Sequence, residues 1–271
     1  MTKYVFKNQQ LILQTQAKIS ISERGFLFGD GIFETCKIYN SKIYDFSSHL
    51  KRINFGLKNL KIDADISNLE NKALKLIAKN QIKNGILKIS ISRGIGSVGY
   101  LPISNIKPLI IIQTLPQRKL PKNIKIGVST QNLSSKNLGK TMNGLTYILS
   151  KIEAKENGFF DNVILSNLGN IGETSSANIF WIKDNQIFTS PQETQIVLGT
   201  KRQKLFEISP FKITEKMANL DELKQADEIF LTNSSFLILP IDEFLQKKLK
   251  KDLGIKLLNI FKKDLKNSCK N

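Results

Sequence analysis

A single histidine, His49, and two cysteines, Cys36 and Cys269, leave this chain of 271 residues poor in the side chains most used to hold metals. One imidazole excludes any site that needs two, and two cysteines without a CxxC spacing supply neither a disulfide framework nor a zinc ribbon. Long apolar runs are absent as well. The longest aliphatic stretch, Leu109 to Ile112, falls far short of the ~20 residues that a membrane span requires. The opening MTKYVFKNQQ has neither the apolar core nor the small-residue cleavage site of a secretory leader, so a soluble, reduced, cytoplasmic protein is expected.

Arginine is scarce although positive charge is not. Lys and Arg total 41 against 23 Asp and Glu, a net charge of +18, yet only positions 24, 52, 93, 118 and 202 are arginine. The planar guanidinium is the preferred reader of phosphate and guanine edges, so a lysine-heavy chain is a poor candidate for nucleic acid. Such a field still draws in small anions. The partners expected are therefore a small anionic substrate, with no nucleic acid and no membrane. Nucleic-acid binding through the basic C-terminal segment is kept as a remote alternative.

What is present reads as two α+β halves. The segments YVFKNQQLILQ and GIFETCKIYNSKIYDF read as strands, with Asn40-Ser41 at a hairpin turn. Helical spacing follows in Leu50, Ile53, Leu57 and Leu60, and again from Leu69 to Ile77, before the strands GILKISISRG and PLIIIQTL. Thr114 to Lys122 holds two prolines and three basic residues and reads as a linker. The domains expected are thus 1–115, a linker at 116–122, and 123–271. The second half begins with strand IKIGVSTQ and a helical period over Thr141 to Asn157. The strands DNVILSN, NIFWIK and QIFTS, a helix from Thr200 and the strand EIFLTNSS follow. LQKKLKKDLGIKLLNIFKKDLKN closes the chain as an amphipathic basic helix.

Five local motifs stand out, and each alone has an ordinary structural reading. RGFLFGDGIFET, Arg24 to Thr35, is a glycine-rich turn before a strand. SRGIGSVGY, Ser92 to Tyr100, places Arg93 at a strand end, where a guanidinium fork suits a carboxylate or simply meets solvent. GKTMNG sets Lys140 among small neighbours near a helix start, and lysine is the residue that forms Schiff bases once its amine is partly desolvated. IGETSSANIFW puts Glu173 among small hydroxyl residues between strands, either a turn glutamate or a partner for a cationic ring nitrogen. LGTKRQ opens a helix at Thr200 with the amides and hydroxyl that hold phosphate.

In this order, followed by TNSS at Thr232 to Ser235, the motifs resemble the class-IV (fold-type IV) pyridoxal-phosphate enzymes. Those include branched-chain and D-amino-acid aminotransferases and aminodeoxychorismate lyases. The resemblance spans about Ser22 to Pro240 and implies a two-domain α+β fold. In it a smaller N-terminal α/β domain and a larger C-terminal domain with a mixed sheet or barrel hold pyridoxal 5'-phosphate in the cleft between them. It implies a homodimer as well. Residue by residue, it makes Lys140 the cofactor-bonding catalytic lysine and Glu173 the carboxylate at the pyridine nitrogen. It assigns Arg52, Thr200, Lys201 and Ser234 to the phosphate. His49 reads as structural.

Within the family, ISRGIGSVGY and the threonine of FET, Thr35, are similar to the lyase pattern. The resemblance then implies Thr35 near the reacting carbon and Arg93, Thr35 and Ser235 as substrate contacts. Val98 departs from it, standing where lyases often carry arginine. The expectation is an aminodeoxychorismate lyase in folate synthesis, which makes 4-aminobenzoate and pyruvate from 4-amino-4-deoxychorismate. The alternative is an aminotransferase that pairs branched-chain or D-amino acids with 2-oxoglutarate.

Overall fold

The computed structural model describes residues 3–96, 99–117, 119–133 and 138–270; Val98 and Arg118 lie outside the described residues. The chain divides into two compact units, one of residues 1–118, 138–143 and 265–271, the other of 119–137 and 144–264. The short segment carrying Lys140 therefore belongs with the first unit, whereas the expected boundaries had put it in the second.

The first unit is built on β1 (Tyr4–Lys7), β2 (Gln10–Leu13), α1 (Arg24–Phe28), β3 (Gly31–Tyr39), β4 (Lys42–Ile43), α2 (Phe46–Leu60), α3 (Leu69–Lys79), β5 (Gly85–Ser92) and β6 (Leu109–Leu115). Its strands form one antiparallel sheet in the order β2-β1-β6-β5-β3-β4. The period-2 alternation of β3 and β5 decides which side is covered. Ile32, Cys36, Ile38, Leu87, Ile89 and Ile91 join the core with Ile53 and Leu57 of α2 and Leu69, Leu76 and Ile77 of α3. Phe33, Thr35 and Lys37 stand on the opposite face. Asn40 and Ser41 both take positive φ, 49° and 59°, which makes the hairpin turn expected there. RGFLF, read as a turn, is instead one helical turn. The Glu23 carboxylate accepts from the amides of Gly25 and Phe26 to start it, and Gly29 at φ 67° ends it.

The second unit contains β7 (Lys125–Leu133), α4 (Leu145–Glu156), β8 (Asp161–Ser166), β9 (Ile171–Thr174), β10 (Asn178–Lys183), β11 (Gln186–Thr189), α5 (Thr200–Ile208), β12 (Ile213–Glu215), α6 (Leu220–Lys224), β13 (Glu228–Asn233), β14 (Leu237–Pro240), β15 (Glu243–Phe244), β16 (Lys247–Lys248) and most of α7 (Asp252–Ser268). Two five-stranded sheets run β12-β11-β10-β13-β14 and β16-β15-β7-β8-β9. Between them lies a core of Ile126, Val163, Ile179, Trp181, Ile229 and Leu231. The helix expected from Leu245 begins only at Asp252. Leu245 and Gln246 take φ of 46° and 70° in a two-residue hairpin, and Lys247 Nζ donates to the carbonyls of Lys224 and Ala226 at 2.9 and 2.7 Å. The helix expected from Thr141 likewise starts later, at Leu145. Thr141 instead forms an isolated antiparallel bridge with Ile32 of β3, with Phe33 N donating to Lys140 O and Met142 N to Gly31 O, both at 2.9 Å.

Candidate active site

Backbone contacts within the first unit set the path of the chain at Lys140. Gly139, at φ 99°, brings the chain against α2 so closely that a Cβ there would lie 2.9 Å from the Gly56 Cα. The next residue, Lys140, then pairs with Phe33, and its Nζ lies 4.7 Å from the centre of the Phe33 ring. Thr35 is two residues further along the same face of β3 and pairs with Lys88 of β5. Lys88 reaches the same ring, its Nζ 5.5 Å from the centroid.

On the other face of β3, Glu34 is buried and accepts from Arg52 Nε at 2.6 Å and Nη2 at 2.8 Å, and pairs with His49 Nδ1 at 2.7 Å. Burial pushes the Glu34 carboxyl up, but the Arg52 charge and the hydrogen bonds from His49 and Arg52 outweigh it and hold the group well below the usual carboxylate range. Arg52 is thereby fixed in orientation. Glu34, Cys36 and His49 cluster closely, but the guanidinium already on both Glu34 oxygens makes the cluster a poor cation site.

The second unit gathers two further groups. Glu173 on β9 is buried; its Oε1 accepts from Tyr147 Oη at 2.8 Å and Val197 N at 2.9 Å, and its Oε2 from Asn178 Nδ2 at 3.0 Å. Burial and the adjacent Glu173 charge push the Tyr147 hydroxyl far above its ordinary pKa, so it remains a donor. Asn178 links this carboxylate to the start of α5. It also donates to Val197 O at 2.8 Å, and its Oδ1 lies where a Cβ on Gly199 would be, 2.1 Å away. Only glycine permits that approach at the helix cap. Thr200 then opens α5, whose first turn has no acidic residue, and its hydroxyl lies 3.4 Å from that of Ser234. Lys201, whose backbone amide is the group expected at the phosphate, has an almost wholly buried side chain. Ser235 donates its amide to Asn233 Oδ1 at 2.9 Å, next to Ser234.

Arg93 requires correction. It was expected at a substrate carboxylate, but its guanidinium donates to Asp30 Oδ2 and Oδ1 at 2.7 and 3.0 Å and to the carbonyls of Leu60 and Lys61 at 2.7 and 2.9 Å. It ties the end of α2 to the loop before β3, where those carbonyls need a donor. Sequence reasoning passed over Tyr147, Asn178, Glu34 and Lys88. Asn178 and Glu34 lay inside motifs already singled out, which was the one available signal.

The amino-transferase class IV family model matches residues 31–244, and the chain belongs to that family. A D-alanine aminotransferase from Bacillus licheniformis is 28% identical over 246 residues, covering 88% of this chain and 87% of the relative. A putative branched-chain-amino-acid aminotransferase from Methanocaldococcus jannaschii is 28% identical over 250 residues, with the same coverage of both chains. The solved 4-amino-4-deoxychorismate lyase from Pseudomonas aeruginosa shares the fold at a TM-score of 0.87 and 24% identity, over 96% of this chain and 99% of its own. The family consists of pyridoxal-phosphate enzymes, and pyridoxal 5'-phosphate is the cofactor. The chemistry of the donor set fits it. A pyridine nitrogen calls for a buried, oriented carboxylate, as at Glu173. A phosphate calls for a helix start with hydroxyls and no acid, as at Thr200 and Ser234. An aldehyde calls for a partly buried amine, as at Lys140.

Proposed function

We propose that this enzyme converts 4-amino-4-deoxychorismate to 4-aminobenzoate and pyruvate, supplying the aromatic amine for folate synthesis. In this reading Lys140 bonds the cofactor, Glu173 keeps its ring nitrogen protonated, and Arg52, Thr200, Lys201 and Ser234 take the phosphate. The cofactor, when bound, supplies the sink for negative charge that develops on the carbon bearing the substrate amine. Arg52 approaches its task already oriented by the two oxygens of Glu34, so little side-chain freedom is lost on binding. Glu173 is locked by three donors and lies ready for a cationic nitrogen without rearrangement.

Lys140, once the substrate amine has taken its place, removes the proton from the ring carbon that carries that amine. The enolpyruvyl group leaves as the ring becomes aromatic, and a proton returned by Lys140 completes pyruvate. Thr35 and Ser235 offer hydroxyls to the substrate. The observation that carries the reading is the position of Thr35 on the sheet face that presents Lys140, one row beyond the Phe33 ring under the lysine. The purified protein is expected to release equimolar pyruvate and 4-aminobenzoate from 4-amino-4-deoxychorismate. No pyruvate, together with robust turnover of amino acids with 2-oxoglutarate, would refute it.

Transamination is the second reading, and the names of the sequence relatives favour it. It uses the same lysine to shift a proton from the amino acid Cα. The two reactions share the cofactor-holding residues, so the substrate assay separates them where the fold does not.

A further inference from the structure

Tyr147 is a residue to which neither the sequence motifs nor the proposed chemistry gives a task. It lies in the first turn of α4, on the helix stripe that also carries the buried Ser150 and Ala154 at i+3 and i+7. Leu145, Ile148, Leu149 and Ile152 of the same helix are exposed, so Tyr147 stands on the inward side. Its ring packs against the apolar cluster of Leu133, Ile164 and Ile196. Its hydroxyl leaves that cluster at Glu173 and donates to Oε1 at 2.8 Å.

Three donors from three elements meet on this carboxylate. Tyr147 of α4 shares Oε1 with the amide of Val197, which precedes α5, at 2.9 Å. Asn178 of β10 donates its Nδ2 to Oε2 at 3.0 Å. Asn178 and Val197 are tied to each other as well, through the Val197 carbonyl at 2.8 Å, so Tyr147 is the donor that arrives from outside that pair. Burial and the Glu173 charge push the tyrosine pKa far above its ordinary value, and the hydroxyl therefore holds its proton and stays a donor.

The chemistry of such a contact is directional. A donor to a buried carboxylate favours its ionised form, and a bond to a charged acceptor is roughly twice as strong as a neutral one. Only the ionised carboxylate accepts through both oxygens; the protonated acid would turn one of them into a donor. A cationic ring N–H needs the first state and is opposed by the second.

We infer that Tyr147 is a positioning residue for the cofactor's ring nitrogen: its hydroxyl keeps Glu173 ionised and fixed in rotation, and so selects a protonated pyridine over a ring without a basic nitrogen. The inference rests on the proposed task of Glu173. Tyr147 acts through that carboxylate and needs no contact with the reacting atoms.

The test titrates full-length wild-type, Tyr147→Phe and Glu173→Gln proteins with pyridoxal 5'-phosphate and with its analogue that carries C–H in place of the ring nitrogen. Dissociation constants are read from the absorbance of the bound aldehyde, which requires no turnover. Phenylalanine keeps the ring in its apolar cluster and removes only the donor. The wild type is expected to prefer pyridoxal 5'-phosphate strongly, and Glu173→Gln to lose that preference. Tyr147→Phe is expected to bind pyridoxal 5'-phosphate about ten- to a hundred-fold more weakly and the analogue within about three-fold of wild type, as one lost hydrogen bond to a charged group predicts. An equal loss for both compounds would show that Tyr147 serves packing alone and overturns the inference. So does an affinity of Tyr147→Phe for pyridoxal 5'-phosphate within about two-fold of wild type. A wild type that binds both compounds alike, with Glu173→Gln unchanged, overturns the placement of the ring nitrogen at Glu173 and the role of Tyr147 with it.

Discussion

Glu34 is a buried acid whose task is to hold one arginine, which the proposed function places at the phosphate. Its two oxygens hold Arg52, and its folded-state pKa is depressed. A depressed carboxylate contributes stability that is fully present above its ordinary pKa, about 4.3, and lost as pH falls from there through the folded value. Glu34→Gln removes that dependence. At neutral pH the variant is expected to be less stable by about 1–3 kcal/mol, because the charge-assisted hydrogen bonds between the buried carboxylate and the partly exposed Arg52 are weakened. Below about pH 4.5 the wild-type denaturation midpoint is expected to fall more steeply than that of the variant. Parallel acid profiles would show that the pair does not carry this stability. The sequence made Lys140 and Glu173 conspicuous because each sits among small residues between apolar runs. It could not show that Glu34 faces Arg52, Tyr147 faces Glu173, or Lys88 lies beside Thr35. Those meetings depend on strand register and on the rotation of a helix, which no local window contains.

At the scale of elements, the decisive piece is the short segment before α4 that bridges to β3. Helical periodicity alone suggested a helix from Thr141, yet Thr141 pairs with Ile32 of β3, and Gly139 makes the approach to α2 possible. Gly139→Ala puts a Cβ 2.9 Å from the Gly56 Cα at a φ of 99°. The strain expected is about 1–3 kcal/mol. The predicted outcome is a protein that folds with a lowered melting temperature but forms its borohydride-reducible cofactor bond slowly or in low yield. A variant that bonds the cofactor at the wild-type rate would show that this approach does not place the lysine. Amphipathic helices α2 and α3 and the alternating strands were legible because burial follows their period. The β15–β16 hairpin was not, since LQKKLKK has helical composition and the turn is imposed by contacts of Lys247 with distant carbonyls.

For the whole molecule, net charge and exposed apolar surface point to different partners. The +18 charge favours small anions, and no helix among the described residues is long and apolar enough to cross a membrane. On α4, Leu145, Ile148, Leu149 and Ile152 share one helix face and are all exposed. We propose that this face contributes to a homodimer, consistent with the usual meaning of a contiguous apolar patch. Sedimentation is expected to give about twice the 30.7 kDa chain mass, falling toward the single chain in Ile148→Asp. A wild type that sediments as one chain at micromolar concentration would refute the proposal.

The proposed chemistry turns on one covalent bond, and peptide mapping after borohydride reduction of the holoenzyme tests it directly. The predicted result is a single pyridoxyl-modified lysine, Lys140, and its disappearance in Lys140→Ala. Modification of another of the 36 lysines, or a Lys140→Ala protein that still retains a reducible cofactor bond, would contradict it.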